Sequence, residues 1–319
     1  MRPRRWSFRT PNRSSLPLEE ALPALRAALR ERPGAVLVAP PGAGKTTGVP
    51  LALLDEPWAR GGRLIMLEPR RLAARAAAAR MAATLGEPVG VTVGYRVRLD
   101  SRVSAATRLE IVTEGVFTRM ILDDPGLEGV AGVLFDEFHE RSLDADLGLA
   151  FAFDSQTHLR ADLRVLVMSA TLDGARIAAL LGDAPVIESR GRMFDVETRY
   201  LGKNLRGGLE DQVARAVRGA LERETGGVLV FLPGQGEILR VASRLEESLD
   251  DPSVDIAPLY GAMDAADQDL AIAPSPPGRR KVVLATAIAQ TSLTLEGVRV
   301  VIDSGLARVP RWDPAGGIT

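Results

Sequence analysis

The chain contains no cysteine, two histidines and three lysines in 319 residues, and aromatic side chains make up 4% of it. The missing thiols exclude disulfides, thiolate metal sites and cysteine nucleophiles. His139 and His158 are too few for a histidine-rich metal site, which argues against zinc chemistry. No apolar run approaches the roughly 20 residues of a membrane-spanning helix. The N-terminal stretch MRPRRWSFRTPNRSS is basic, but no apolar signal core follows it. Residues 1–15 are therefore expected to form a disordered tail, with a nucleic-acid-binding arm as the alternative reading. The stretch is also a candidate for sequence upstream of the true start. The chain as a whole is expected in the cytoplasm, away from membranes. A formal net charge of −1 does not describe a protein coated for nucleic acid, although a few placed basic contacts need no net positive charge. The lysines are Lys45, Lys203 and Lys281, against 40 basic residues in all, so a lysine inside a motif carries weight.

What is present fits a soluble globular protein. Apolar residues make up 46% and charged residues 25%, and the length suits two domains. Short β-branched runs alternate with stretches rich in alanine and leucine. Strands are expected at 36–39, 64–67, 109–112, 130–135 and 164–168, then at 228–231, 256–259, 282–285 and 298–303. Helices are expected at 72–85, 143–159, 209–223 and 237–249. That rhythm predicts an α/β chain with parallel sheets covered by helices on both faces. The continuously apolar strands agree with double coverage. Between 183 and 208 the rhythm breaks, and VIESRGRMFDVETRYLGKN reads as extended chain leading to Gly-Gly. A boundary is placed near Leu201, giving domains 16–200 and 201–319.

Residues 36–47 read VLVAPPGAGKTT: a strand, a loop rich in Gly and Pro, then Lys-Thr opening a helix. This is a phosphate-binding loop arrangement. Gly42 and Gly44 let backbone N–H groups face inward, and with Ala43 and Thr47 they would surround a nucleotide. The helix N-terminus favours an anion there. Lys45 would reach the β- and γ-phosphates of ATP, and the Thr46 hydroxyl would ligate Mg²⁺. Ala39 stands where the strict pattern has its first glycine. An ordinary Gly-Pro turn is the plain alternative. A second stretch, VLFDEFHERS at 133–142, ends an apolar strand in two adjacent carboxylates. Two buried carboxylates side by side are costly without a cation. In parallel sheets ligands sit at the carboxyl ends of strands, so both stretches can face one crevice. Asp136 would then hold Mg²⁺, directly or through water. Glu137 would polarise the water that attacks the γ-phosphate. A solvated strand end is the plain alternative.

DEFH at 136–139 resembles the DExH box of superfamily 2 helicases, and DEFHER resembles the DEAHER of the DEAH subgroup. Other blocks follow in that family's order: EPRRLAAR at 68–75, TEG at 113–115, SAT at 169–171, VFLPGQGEI at 230–238 and ATAIAQTSLTLEGV at 285–298. LPLEEALPALRAAL, DEFHERSLDADLGLA and IDSGLARVPRWDP are similar to the bacterial HrpB-type helicases. The resemblance implies two RecA-like domains, ATP between them, and a single strand of RNA or DNA across both. It implies strand contacts at Arg70, Thr113 and Thr286, and coupling through Ser169, Thr171 and His139. It puts Thr291 or Ser292 and Glu296 near the nucleotide. Ala287, Gln290 and Glu296 depart from the usual residues, which leaves those contacts open. Plain alternatives exist: Arg70, Arg71 and Arg75 as a solvated helix face, Thr113 as a helix cap. The partner of Gln235 is not evident, and His158 is read as structural.

The family pattern continues with a QRxGRxGR stretch whose arginines reach the γ-phosphate, and the chain ends at Thr319 without one. The expectation is a monomeric, truncated form, a fragment or an incomplete gene, that binds nucleotide but hydrolyses and unwinds weakly. The leading function is an ATP-dependent 3′-to-5′ nucleic-acid helicase core. The rivals are an ATP-dependent clamp or switch without unwinding, and a phosphate-loop ATPase of another class.

Overall fold

The computed structural model describes residues 17–171, 174–189, 195–202, 207–289 and 295–308. The chain divides into two compact units between Asp195 and Val196, a few residues before Leu201. No described helix is long and apolar enough to cross a membrane.

In the first unit the order is α1 (Pro17–Glu31), β1 (Gly34–Val38), α2 (Lys45–Leu53), β2 (Arg63–Glu68), α3 (Arg71–Leu85), β3 (Val93–Val97), β4 (Asp100–Arg102) and β5 (Leu109–Thr113). It continues with α4 (Glu114–Asp123), β6 (Val130–Phe135), α5 (Leu143–His158), β7 (Arg164–Ser169), α6 (Gly174–Leu180) and β8 (Val186–Glu188). The strands form an eight-stranded sheet in the order β4-β3-β5-β2-β6-β7-β1-β8. Every pairing is parallel except β3 with β4. Alternate residues of β1 serve opposite faces: Leu37 belongs to the core cluster that holds Leu25, Leu29 and Met81, while Val36 and Val38 belong to the one that holds Phe117, Leu149 and Ile177. The strand is apolar throughout because both faces are covered.

The second unit runs α7 (Leu209–Arg223), β9 (Gly227–Phe231), α8 (Gln235–Ser248), β10 (Val254–Leu259), α9 (Ala265–Ile272), β11 (Arg280–Ala285) and β12 (Val298–Asp303). These strands form a parallel sheet in the order β10-β11-β9-β12. Val213, Val217, Ile238, Val241 and Leu245 cover one face over Val228, Val230, Val282 and Leu284. Double coverage fails at β12. Its residues alternate between half-buried and exposed, with Val301 at 59%, so among the described residues nothing seals its outer face. The apolar run VRVVID alone did not reveal this.

Candidate nucleotide and nucleic-acid site

The carboxyl ends of β5, β2, β6, β7 and β1 follow one another along one edge of the first sheet. In that order they lead into Thr113, Arg70, Asp136 and Glu137, the 169–171 segment, and the loop before α2. Parallel pairing is what brings stretches so distant in sequence to one side.

In the loop, Gly42 and Gly44 have φ of 76° and 90°, a region L side chains rarely adopt. Gly44 is the N-cap of α2 and offers no side-chain acceptor. The first N–H groups of the helix therefore keep no side-chain cap, the condition in which a helix start takes an anion. Ala39 and Ala43 are packed into the core, so the methyl of Ala39 is accommodated where the strict pattern has glycine. Thr47 lies half-buried in the first turn of α2.

Lys45 is 4% exposed, and its Nζ lies 2.9 Å from Glu137 Oε1. The Glu137 N–H donates to Asp136 Oδ1 at 2.8 Å, and the nearby Thr46 side chain favours the ionised Asp136 carboxyl. Oδ2 of Asp136 is buried without a hydrogen-bond partner among the described residues. Burial, reinforced by the Glu137 charge, pushes the Asp136 carboxyl up to about 6 against the opposing pull of Lys45 and Thr46. An orphaned buried oxygen beside a second carboxylate fits a divalent cation. No group of three or more His, Asp or Glu side chains able to hold a metal occurs among the described residues. The pair of carboxylates suits Mg²⁺, which takes one or two carboxylates and completes its shell with substrate phosphates and water. Glu137 itself sits at φ 48°, a strained backbone for a non-glycine residue.

Beyond Glu137 the chain makes one tight turn, Phe138–Glu140. His139 Nδ1 lies 3.3 Å from Glu137 Oε2 and 3.4 Å from the Ala170 N–H, which donates to it. Ser169 and Thr171, the expected coupling residues, do not hydrogen-bond this turn through their hydroxyls among the described residues. Instead Ser169 Oγ lies 3.4 Å from Thr171 Oγ1 and accepts the Thr171 N–H, and the backbone of Ala170 makes the contact.

Arg70 precedes α3 and its Nη2 lies 3.4 Å from Glu140 Oε2. The solvated-face alternative holds for Arg71, which is exposed, but fails for Arg75, which is 8% exposed. Thr113 occupies the N-cap position of α4 yet makes no side-chain cap bond. In the second unit, Thr286 follows the carboxyl end of β11, its N–H donating to Leu259 O. Glu296 precedes the amino end of β12 and shares a cavity with Gly226, Arg279 and Lys281. Since both strands run parallel to β9, the two residues lie toward opposite ends of that sheet. Thr291 and Ser292 lie outside the described residues. Sequence reasoning passed over Glu140, Glu114 and Ser142. The only signal was the HER that closes the acidic box.

This arrangement places the first unit among phosphate-loop nucleoside-triphosphatase domains. Residues 19–180 match the DEAD/DEAH box helicase family, and residues 211–316 match the helicase conserved C-terminal domain. The chain belongs to the DEAD/DEAH box helicase family, and its two units are RecA-like domains. It is 53% identical to the ATP-dependent RNA helicase HrpB of Escherichia coli (strain K12), over 96% of this chain and 38% of that protein. It is 34% identical to the probable ATP-dependent RNA helicase DHR2 of Saccharomyces cerevisiae (strain ATCC 204508 / S288c), over 94% of this chain and 42% of the relative. Among solved structures, the Escherichia coli DEAH/RHA helicase HrpB matches with a TM-score of 0.86 at 53% identity, covering 95% of this chain and 39% of that one. The chain thus spans about two-fifths of the length of these relatives.

Proposed function

We propose that the chain carries the ATP-hydrolysing core of a helicase that moves 3′ to 5′ along one strand, by preference RNA, and separates duplexes. Residues 16–200 and 201–319 would be its two motor domains, acting as a monomer in the cytoplasm. The observation that carries this reading is the convergence of Lys45, Glu137 and Asp136, with the orphaned Asp136 Oδ2 among them.

Gly42, Ala43, Gly44 and Thr47 would cradle the phosphates, and Lys45 would exchange Glu137 for a γ-phosphate oxygen. Glu137, released from the lysine, orients the attacking water and accepts its proton. Thr46 and Asp136, with Glu137 nearby, would hold Mg²⁺, which neutralises phosphate charge when bound. Ser292 and Glu296 would approach the nucleotide from the second domain. Arg70, Thr113 and Thr286 would grip the strand's sugar-phosphate backbone, which gives little base specificity. Ser169, Thr171 and His139 would relay the phosphate state. The sequence contains no QRxGRxGR stretch, so in this reading a polypeptide of these 319 residues binds nucleotide but turns over and unwinds weakly by itself.

The test is steady-state ATPase activity with and without single-stranded RNA and DNA. Stimulation by a strand supports the helicase reading. Nucleotide-dependent strand binding without turnover would favour a clamp, and indifference to both strands would sink either reading. Glu137→Gln should keep ATP binding and lose about 10²-fold or more of any turnover, as removal of a proton acceptor does.

A further inference from the structure

The contact between Arg70 and Glu140 is long, at 3.4 Å, and its side chains are 27% and 23% exposed, so solvent and ligands reach it. Oε1 of Glu140 is buried and has no hydrogen-bond partner among the described residues. This ion pair therefore leaves half of the carboxylate unsatisfied. A phosphodiester offers a guanidinium the same kind of anionic oxygens without that loss. The Glu140 charge also lies where a strand phosphate at Arg70 would have to approach.

Glu140 belongs to a turn with little slack. Its flanking residues, Glu137 and Arg141, both have left-handed backbone, at φ 48° and 49°. His139 accepts the Ala170 N–H on one side. On the other, Ser142 Oγ donates to Glu114 Oε2 at 2.5 Å and accepts the Ala145 N–H at 2.9 Å. A displacement of Glu140 is therefore felt at Glu137, three positions back along the same tight turn.

We propose that Glu140 is a positioning residue that occupies the strand-phosphate position at Arg70, so that a bound strand displaces it and resets the turn that carries Glu137 and His139. The inference rests on the reading of Arg70 as a strand contact. Linkage makes the effect reciprocal: nucleotide that draws Lys45 from Glu137 loosens the hold of Glu140 on Arg70 and raises strand affinity.

The test is equilibrium binding of a fluorescein-labelled oligouridylate, read by anisotropy on the full chain. It is run with and without Mg²⁺ and a non-hydrolysable ATP analogue. The proteins are wild type, Glu140→Gln, Arg70→Gln and the double variant. Arg70→Gln should weaken binding about tenfold, the scale of one lost charge-assisted contact. Glu140→Gln should tighten binding several-fold without nucleotide, shrink the enhancement given by the analogue, and have no effect in the Arg70→Gln background. Weakening by Arg70→Gln with no tightening by Glu140→Gln would overturn the inference and leave the strand contact standing. Equal tightening with and without Arg70 would overturn it too, since that is general removal of negative charge. No effect of Arg70→Gln would remove both the strand contact and the inference. Should Glu140→Gln fail to fold, Glu140→Asp, which retracts the carboxylate from Arg70, tests the same exchange with the same expected sign.

Discussion

Lys45 Nζ and Glu137 Oε1 form an ion pair of 2.9 Å whose side chains are only 4% and 10% exposed. A buried pair of this kind costs desolvation, and losing one partner leaves an uncompensated charge. Lys45→Met should therefore destabilise the folded chain by about 3 kcal/mol, since it strands Glu137 beside Asp136. Adding Glu137→Gln should recover most of that loss. In the proposed reading neither variant should bind ATP, because Lys45, the cation proposed for the phosphates, is gone from both. Urea unfolding and titration with a fluorescent ATP analogue separate the two effects. Equal stability of Lys45→Met and wild type would contradict a buried pair.

Asp136 sets a pH dependence. Burial and Glu137 raise its carboxyl from 3.8 to about 6. Between about pH 4 and pH 6 the folded chain thus holds a proton that the unfolded chain has released. A folded state that binds more protons loses stability as pH rises through that interval. The stability of wild type minus that of Asp136→Asn should fall from about pH 4 to about pH 6 and be flat beyond. Asp162 and Asp211, held low by Arg160 and Arg244, work in the opposite direction but cancel in the difference. A difference that rises with pH would refute the assignment.

The parts legible in the sequence are those whose cause is local. Val130–Phe135, Val298–Asp303 and Leu209–Arg223 fall where their apolar patterns put them. Lys45 could be singled out because it opens a helix after a glycine-rich loop, and the Asp136–Glu137 pair because it follows a strand end, where parallel sheets bind ligands. The β3–β4 hairpin was missed because VGYRVRLDSR carries arginines inside it. The chain tolerates them: Arg96 bonds the buried Glu110 on β5 at 2.7 Å. The Arg70–Glu140 contact joins residues 70 apart and exists because β2 and β6 are neighbours, which no local pattern encodes. The left-handed backbone of Glu137 was equally invisible. Local preference opposes it, and only the surrounding fold imposes it.

Ser142 makes two bonds with one hydroxyl. It caps α5 by accepting the Ala145 N–H, and it donates to Glu114. Ser142→Ala should cost between about 1 and 2 kcal/mol in urea unfolding, the scale of a lost N-cap. Ser142→Thr keeps both functions and should cost much less. Burial already raises the Glu114 carboxyl, and the Ser142 bond opposes that rise. Its titration by carbon-detected NMR should therefore move further up in Ser142→Ala. No movement would mean that the short contact is not a hydrogen bond in solution.

Arg280 closes α7 from the neighbouring strand. Its guanidinium donates to Leu221 O at 2.8 Å, Glu224 O at 2.9 Å and Gly226 O at 2.8 Å, at a helix end where carbonyls otherwise lack partners. The positive charge also suits the negative end of the helix dipole. Arg280→Met keeps the stem but loses three charge-assisted bonds, and should destabilise the second unit by about 3 kcal/mol. Arg280→Lys can replace only part of the fork and should fall between. Amide hydrogen exchange localises the effect. Protection should drop in 209–231 and 280–285, while 34–38 and 130–135 in the first sheet stay as protected as in wild type. A uniform loss across both units would mean that the residue acts on the whole chain and not at the end of α7.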